Sequence, residues 1–472
     1  MSPTRTRTRL RRACVAAAAA GLLVTPALAG SAYGAPTPEP SPSASASASA
    51  SAPSPDGAAF PELTPAVAAK LDAAIQQVLR EAKVPGVIVG LWAPGKGSYV
   101  RTFGTADKST GSPMETGFNI RIGSETKTFT VTALLELVDQ GKVALDDTIG
   151  TYISGVPNGD RITLRELAGM RSGLFNYSLD EDFNKALAAG PTRPFTPQQL
   201  LDYSFRHPVQ FEPNAKWQYS NTNLILLGLV VEKVGGKPLH EFIREEVLEP
   251  AGLRKTLFPT DAHFPDPHPQ GYTDDTTGKI VNATDWNPSW AWAAGAMISD
   301  LMDLRSWART LATGTLLTPA TQAERLKTTS IDGIPGAGYG LGLFNVQGWI
   351  GHNGSLPGYE TLTVYLPQAE ATMVVLLNTD VLHEGQEPST LFGEAITSIV
   401  TPGHVYPGHV PTAPEPTGST PTPTNTAPTP TNTAPTPTGS TPTPTAPTPT
   451  GPVTPTAPAP ATPAEPTPPA SP

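Results

Sequence analysis

The sequence predicts an α+β fold: an antiparallel sheet built from both ends of the folded region, flanked by helices, with an all-helical subdomain between the two sets of strands. Two observations predict it. β-rich runs cluster early, at 84–92, 99–103 and 118–122, and return late, at 338–346, 349–352, 360–365 and 371–378. Between them, 130–310 reads mainly as helices and turn-rich loops. The folded stretch, about 340 residues from Phe60 to Val400, is ample for a large core.

The 472-residue chain has ends that do not belong to that fold. Residues 1–12 carry Arg5, Arg7, Arg9, Arg11 and Arg12, and an alanine-rich apolar run follows from Ala13 to Ala29. This pattern reads as a secretory signal peptide within 1–34, cleaved near Ala29 or a few residues later. Arg11-Arg12 leaves a twin-arginine export route open. The single cysteine, Cys14, precedes most of the apolar run, where a lipoprotein cysteine would follow it. Without it the mature chain has no cysteine, which excludes disulfides and cysteine chemistry. Residues 35–59 are a disordered Pro/Ser/Ala linker by composition.

Within 60–400 each element has a local cause. Thr64 and Pro65 supply a cap and a first-turn proline for an amphipathic helix over 64–83. Pro94-Gly95-Lys96-Gly97 separates two β-rich runs and predicts a hairpin. A helical pattern starts at Ser124 and stops at Gly141; another spans Asn223 to Val234 and ends at Gly235-Gly236. Turn residues crowd 174–213 and 259–288, which read as loops lining a cleft. A last helix over Leu391 to Val400 closes the domain. From 401 to 472 the chain is mostly Pro, Thr and Ala, with a seven-residue repeat over 414–441. That composition predicts an extended, disordered tail able to associate with a cell wall.

Charge and hydropathy narrow the partners. A formal net charge of −10 argues against nucleic acid. No second segment is long and apolar enough to span a bilayer, so the expected product is secreted.

The chemistry centres on Ser124-Glu125-Thr126-Lys127, the only S-x-x-K in the chain. Residues three apart share a helix face, which brings a hydroxyl beside an amine. A buried lysine with a lowered pKa can take the serine proton and make it a nucleophile. Tyr219-Ser220-Asn221 is the only Y-x-N, and His352-Asn353-Gly354-Ser355 ends a β-rich run. A second H-x-G, His383-Glu384-Gly385, lies in a polar loop and is set aside. No G-x-S-x-G elbow occurs, which removes the α/β-hydrolase reading. His352 has no paired histidine or carboxylate cluster in sequence, so neither a metal nor another cofactor is expected.

Each motif alone is common; the ordered set is specific. In this order and spacing it resembles the serine β-lactamase and DD-peptidase superfamily, closest in look to secreted D-alanyl-D-alanine carboxypeptidases and class C β-lactamases. The resemblance covers about 60–400 and extends to Met170-Arg171-Ser172-Gly173-Leu174, Ala294-Gly295-Ala296 and Gly338-Tyr339-Gly340-Leu341-Gly342. It implies the β-lactamase/transpeptidase-like version of the predicted fold. It also implies Ser124 as nucleophile, Lys127 as base and Tyr219 as proton carrier to the leaving group. Asn221 would bind the substrate amide, and His352 and Gly354 would shape the neighbouring strand. The amides of Ser124 and Ser355 would form an oxyanion hole, and Phe195 and Trp290 would wall the pocket. Phe195 and Trp290 read equally well as ordinary core aromatics.

Two departures bear on substrate. A β-lactamase of this kind usually has lysine where His352 stands, so histidine resembles the peptidase branch. Those peptidases place arginine after the Gly-Leu-Gly-Leu run to hold a terminal carboxylate; here Phe344-Asn345 follows, so the clamp is missing or comes from elsewhere. The expectation is a serine acyl hydrolase on D-Ala-D-Ala stem peptides of the cell wall, with β-lactams as inhibitors or substrates. An esterase, a β-lactamase, a D-amino-acid peptidase and a non-catalytic penicillin or wall-peptide sensor are the alternatives.

Overall fold

The computed structural model describes residues 60–275 and 277–408. The expected signal peptide (1–34), the expected linker (35–59) and the tail from 409 lie outside the described residues.

The chain begins with helix α1 (Pro65–Glu81), whose Thr64 side chain caps Val67 N–H as the sequence predicts. Strands β1 (Gly86–Ala93) and β2 (Gly97–Asp107) form the expected hairpin, and β3 (Ser112–Pro113) adds an edge. The third predicted run is a correction: only β4 (Ile120–Arg121) is a strand, and it leaves the main sheet to pair with a later segment. A single 3-10 turn, Gly123–Glu125, then leads into α2 (Thr126–Asp139).

The helical subdomain follows with α3 (Leu164–Ala168), α4 (Glu181–Ala189), α5 (Pro197–Phe205), α6 (Asn221–Gly235), α7 (Leu239–Ile243) and α8 (Glu249–Ala251). Two of these, α4 and α5, stand where the sequence suggests loops. Asp180 caps the first and a Thr196/Gln199 capping box starts the second, so end chemistry compensates for short apolar stripes. Strands β5 (Tyr272–Asp274) and β6 (Ile280–Asn282) pair as a small ribbon; β7 (Ile298–Ser299) is the partner of β4. Helices α9 (Leu301–Thr313) and α10 (Pro319–Arg325) return the chain to the sheet.

The sheet is completed by β8 (Thr329–Ser330), β9 (Ala337–Tyr339), β10 (Phe344–Val346), β11 (Trp349–Leu356), β12 (Tyr359–Leu366) and β13 (Ala371–Leu377). Its nine strands run β3-β2-β1-β13-β12-β11-β10-β9-β8, every pair antiparallel. The β1–β13 pairing (Val89↔Val375) joins the two ends of the domain, as the strand distribution predicts. Both β1 and β13 are buried throughout, so the sheet is covered on both faces.

Strand alternation separates those faces. A methyl at Gly90 would lie 3.0 Å from Leu301, placing α9 on the face of Gly90 and its partner Val374. A methyl at Gly393 would lie 2.7 Å from Leu362 and 3.7 Å from Met373, placing the last helix, α11 (Pro388–Val400), on the other. Helix α2 joins the α9 face. Phe129 stacks on Trp307 at 4.1 Å, and the Trp307 indole N–H donates to Thr128 Oγ1 at 2.8 Å.

The domain does not stop at 400. Thr401 and Tyr406 are buried, and residues 401–408 pack against α11 and the sheet. Composition assigns them to the tail because the stretch Thr401-Pro402-Gly403-His404-Val405-Tyr406 has no apolar periodicity of its own.

Candidate active site

The site forms where the turn 123–125, the start of α6 and strand β11 meet. Gly123 has φ +50°, and a methyl on it would lie 2.7 Å from Ser355 N. A methyl at Gly354 would lie 2.0 Å from Ile122 O. The serine turn and β11 touch backbone to backbone, which only glycine permits. Ser124 and Ser355 N–H are thereby brought to one corner.

Lys127 occupies the first turn of α2 and is fully buried. Its Nζ is 2.9 Å from Ser124 Oγ and donates to Ala294 O at 2.7 Å. Both acceptors are neutral. Removing an ammonium from water costs several kcal/mol, about what two such hydrogen bonds return at best. Desolvation therefore pushes the lysine pKa well below its ordinary value. A neutral amine beside a serine hydroxyl can take its proton.

Tyr219 precedes α6 with its ring 4.9 Å from Lys127 Nζ. Burial raises its pKa, partly opposed by Ser124, so the phenol keeps its proton. The hydroxyl is buried beside Ser124 yet makes no hydrogen bond of normal geometry. Such a group has both a proton and a lone pair to offer a bound molecule.

His352 lies on the same face of β11. Its Nδ1 is hydrogen-bonded to Asn353 O, and its Nε2 lies 3.3 Å from Tyr339 Oη. A carbonyl only accepts, so Nδ1 carries the hydrogen and Nε2 accepts from the phenol. Burial first, and then the cost of placing a second cation beside Lys127, lower the histidine pKa to about 3. His352 is thus a neutral spacer between Tyr339, Phe344 and Tyr219, with ring centroids 5.9, 4.7 and 6.3 Å away.

Asn221 opens α6. Its backbone N–H donates to Asn176 Oδ1 at 3.0 Å and its Nδ2 to Ser178 Oγ at 3.2 Å. Phe195 and Trp290 sit in an aromatic cluster around Phe183, at 5.6 and 6.1 Å, and Tyr177 Oη donates to Trp290 O at 2.8 Å. Phe195 is buried and Trp290 half-buried, so both serve the core at least. The structure adds Tyr339, Asn176, Ser178 and the Ala294 carbonyl to the residues named from sequence. Tyr339 and Ala294 lie inside motifs already noted. Asn176 and Ser178 carry no such signal.

At the far side Phe344 packs against His352 and Tyr339, at 4.7 Å from each. Asn345 Oδ1 accepts from Gly348 N–H in the β10–β11 turn. The buried Arg325 near Tyr339 donates to Thr128 O instead. Among the described residues, no group of three or more His, Cys, Asp or Glu side chains could hold a metal ion. No helix among them is long and apolar enough to cross a membrane.

A serine on a tight turn with a desolvated lysine against it is a constellation able to carry acyl transfer. The Beta-lactamase family model matches residues 71–391, and the chain belongs to that family. A solved D-stereospecific amidohydrolase from a Streptomyces species is 32% identical with a TM-score of 0.60, over 65% of this chain and 94% of that one. The putative penicillin-binding protein PbpX of Bacillus subtilis is 24% identical over 67% of this chain and 78% of its own. A putative D-alanyl-D-alanine carboxypeptidase of Escherichia coli O157:H7 is 31% identical over 39% of this chain; the match spans only 45% of that relative. The recognition and fold read from the motifs stand: this is a serine hydrolase with a β-lactamase-like fold.

Proposed function

We propose that the chain is an exported hydrolase of D-amino-acid peptides and amides whose leaving side carries no free carboxylate, working through an acyl-enzyme on Ser124, with D-alanyl-D-alanine stem peptides as the rival substrate. The observation that carries the chemistry is the 2.9 Å approach of Ser124 Oγ to a buried Lys127. The Ser124 proton passes to Lys127 as Oγ attacks the substrate carbonyl. The N–H groups of Ser124 and Ser355 hold the oxyanion, and Asn221 binds the substrate amide. As the tetrahedral species collapses, Tyr219 delivers a proton to the departing nitrogen or oxygen. Water then releases the acyl group by the reverse proton path. Phe195 and Trp290 offer the acyl side an apolar wall.

The leaving side favours a neutral group, because Phe344 and Asn345 offer no cation where a carboxylate would need one. The names of the relatives, a D-stereospecific amidohydrolase and a D-alanyl-D-alanine carboxypeptidase, support the D configuration. The arginine-rich start followed by an apolar run supports export, and the Pro/Thr tail supports association with a wall.

The test is intact-protein mass spectrometry after incubation with a penicillin, wild type beside Ser124→Ala, with turnover measured on four substrates. These are a D-Ala-D-Ala peptide as free acid, the same peptide amidated at its C-terminus, a short-chain ester, and the penicillin itself. A single adduct absent from Ser124→Ala, with the amidated peptide preferred over the acid, is the expected result. Preference for the free acid would overturn the neutral-leaving-group reading. Turnover of the ester alone would replace a peptidase with an esterase, and fast adduct loss with drug hydrolysis would indicate a β-lactamase.

A further inference from the structure

Behind the site, on the α11 face of the sheet, lies a cluster of buried polar groups. Asn353 and Ser355 alternate with His352 and Gly354 along β11, and Ser355 pairs directly with Glu360 of β12. Asn353 Nδ2 donates to Glu387 at 2.6 Å, and Ser389 N–H at the start of α11 donates to Glu360 at 2.8 Å. Ser355 Oγ, Glu360 Oε1 and Tyr406 Oη are buried there without hydrogen-bond partners of their own.

Residues 401–408 pack beside this cluster. His404 O accepts from the Trp349 indole at 2.8 Å, and His404 Nδ1 lies 2.7 Å from Gln347 O. That end therefore grips the β10–β11 turn. At the other end Gly408 O accepts from Thr390 Oγ1, and Gly408 N–H donates to Glu394 at 3.0 Å. Between these anchors Tyr406 N–H donates to Thr397 Oγ1 at 2.8 Å. The Tyr406 ring fills the space left by Gly393, where a methyl would lie 3.3 Å from it and 2.7 Å from Leu362.

We infer that residues 401–408 are a positioning strap, with Tyr406 as its plug, that fixes β11 and so holds Ser355 N–H at the angle the oxyanion requires. The inference rests on the reading of Ser355 N–H as an oxyanion donor. The strap bridges the turn that starts β11 and the helix end that faces its catalytic half. Loosening it lets the strand shift, and a shift of about 1 Å at a catalytic donor is enough to cost rate by orders of magnitude. Ground-state binding, made largely by α6 and the aromatic cluster, is left in place. Tyr406 touches no substrate and acts only through the strand.

The test uses the full chain, a short-chain p-nitrophenyl ester, and phenylboronic acid as a probe whose tetrahedral boronate places an oxygen in the oxyanion hole. Tyr406→Ala is expected to lower kcat about tenfold and weaken phenylboronic acid in parallel, with KM within about twofold. Tyr406→Phe keeps the ring and restores both. Should Tyr406→Ala fail to fold, Asn353→Ala cuts the strand's tie to α11 without emptying the plug site and is expected to show the same split. Wild-type kcat and boronate affinity in a folded Tyr406→Ala or Asn353→Ala protein would overturn the strap. Wild-type activity surviving in Ser124→Ala would instead strike the active-site reading.

Discussion

The two faces of β11 are equally buried but chemically opposite. On the inner face stand Lys127, Tyr219 and His352; on the outer face stand Asn353, Glu360 and Glu387. Burial suppresses charge on both. It pushes Lys127 and His352 down, and it pushes Glu360 well above the ordinary carboxylate range with help from the Glu387 charge. The difference lies in what each face sets side by side. Outer groups are tied to the protein, Asn353 to Glu387 and Glu360 to the α11 backbone, and the hydroxyl there, Ser355 Oγ, is hydrogen-bonded to none of them. On the inner face Lys127 Nζ lies 2.9 Å from Ser124 Oγ, and the Tyr219 hydroxyl is left unpaired beside that pair. Desolvation alone makes a neutral interior, and an active site needs a nucleophile against the neutralised base as well.

Substitutions can break that contrast, and the largest effect is expected at Lys127. Lys127→Ala removes the base and should lower kcat/KM on the order of a thousandfold or more, measured on whichever substrate the wild type turns over best. The wild-type profile should rise with pH, because the neutral amine exists above the lowered lysine pKa and is lost below it. A profile falling across neutrality would remove Lys127 as base.

A smaller effect is expected at Glu125, which burial raises to about 8 against the opposing hydroxyls of Thr361 and Thr363. The sign follows from proton uptake. Between the unfolded value and 8 the folded chain holds a proton that the unfolded chain has released, so stability falls as pH rises. Glu125→Gln should flatten that slope. At pH 8 it should be more stable than wild type by a few kcal/mol, roughly three pH units of linkage. Parallel denaturation curves for the two proteins from pH 5 to 8 would show that Glu125 ionises normally.

The smallest effect concerns His352. Held neutral, it should contribute no limb to the pH–rate profile between about 5 and 8. In His352→Asn the level of kcat should drop while the apparent pKa values stay fixed. Disappearance of a limb near 6 would make the histidine a titrating participant.

Much of this was readable from residue order. S-x-x-K, Y-S-N and H-N-G each demand a side chain at a fixed offset from a glycine or a helix start, and such constraints survive in one dimension. Ser124, Lys127, Tyr219, His352 and Gly354 meet as their motifs suggest. The strap was not readable, because Tyr406 is buried by Gly393 and Leu362, partners far from its polar neighbours in sequence. Ile120–Arg121 misled for a similar reason: two β-formers pair with Ile298–Ser299 and not with the main sheet, a choice made by tertiary packing. Helices α4 and α5 were hidden because each is nine residues long, with an apolar stripe (Phe183, Ala186 and Leu187; Leu200 and Leu201) too short to stand out among the turn residues around it.

The contact between Gly123 and Ser355 has a mechanical consequence. With no side chain between them, the nucleophile's turn and the oxyanion strand form a single wall, with no cushion to compress or expand. Whatever breathing admits a substrate or frees a product must come from the opposite bank, where α6 and the aromatic cluster around Phe183 face the cleft.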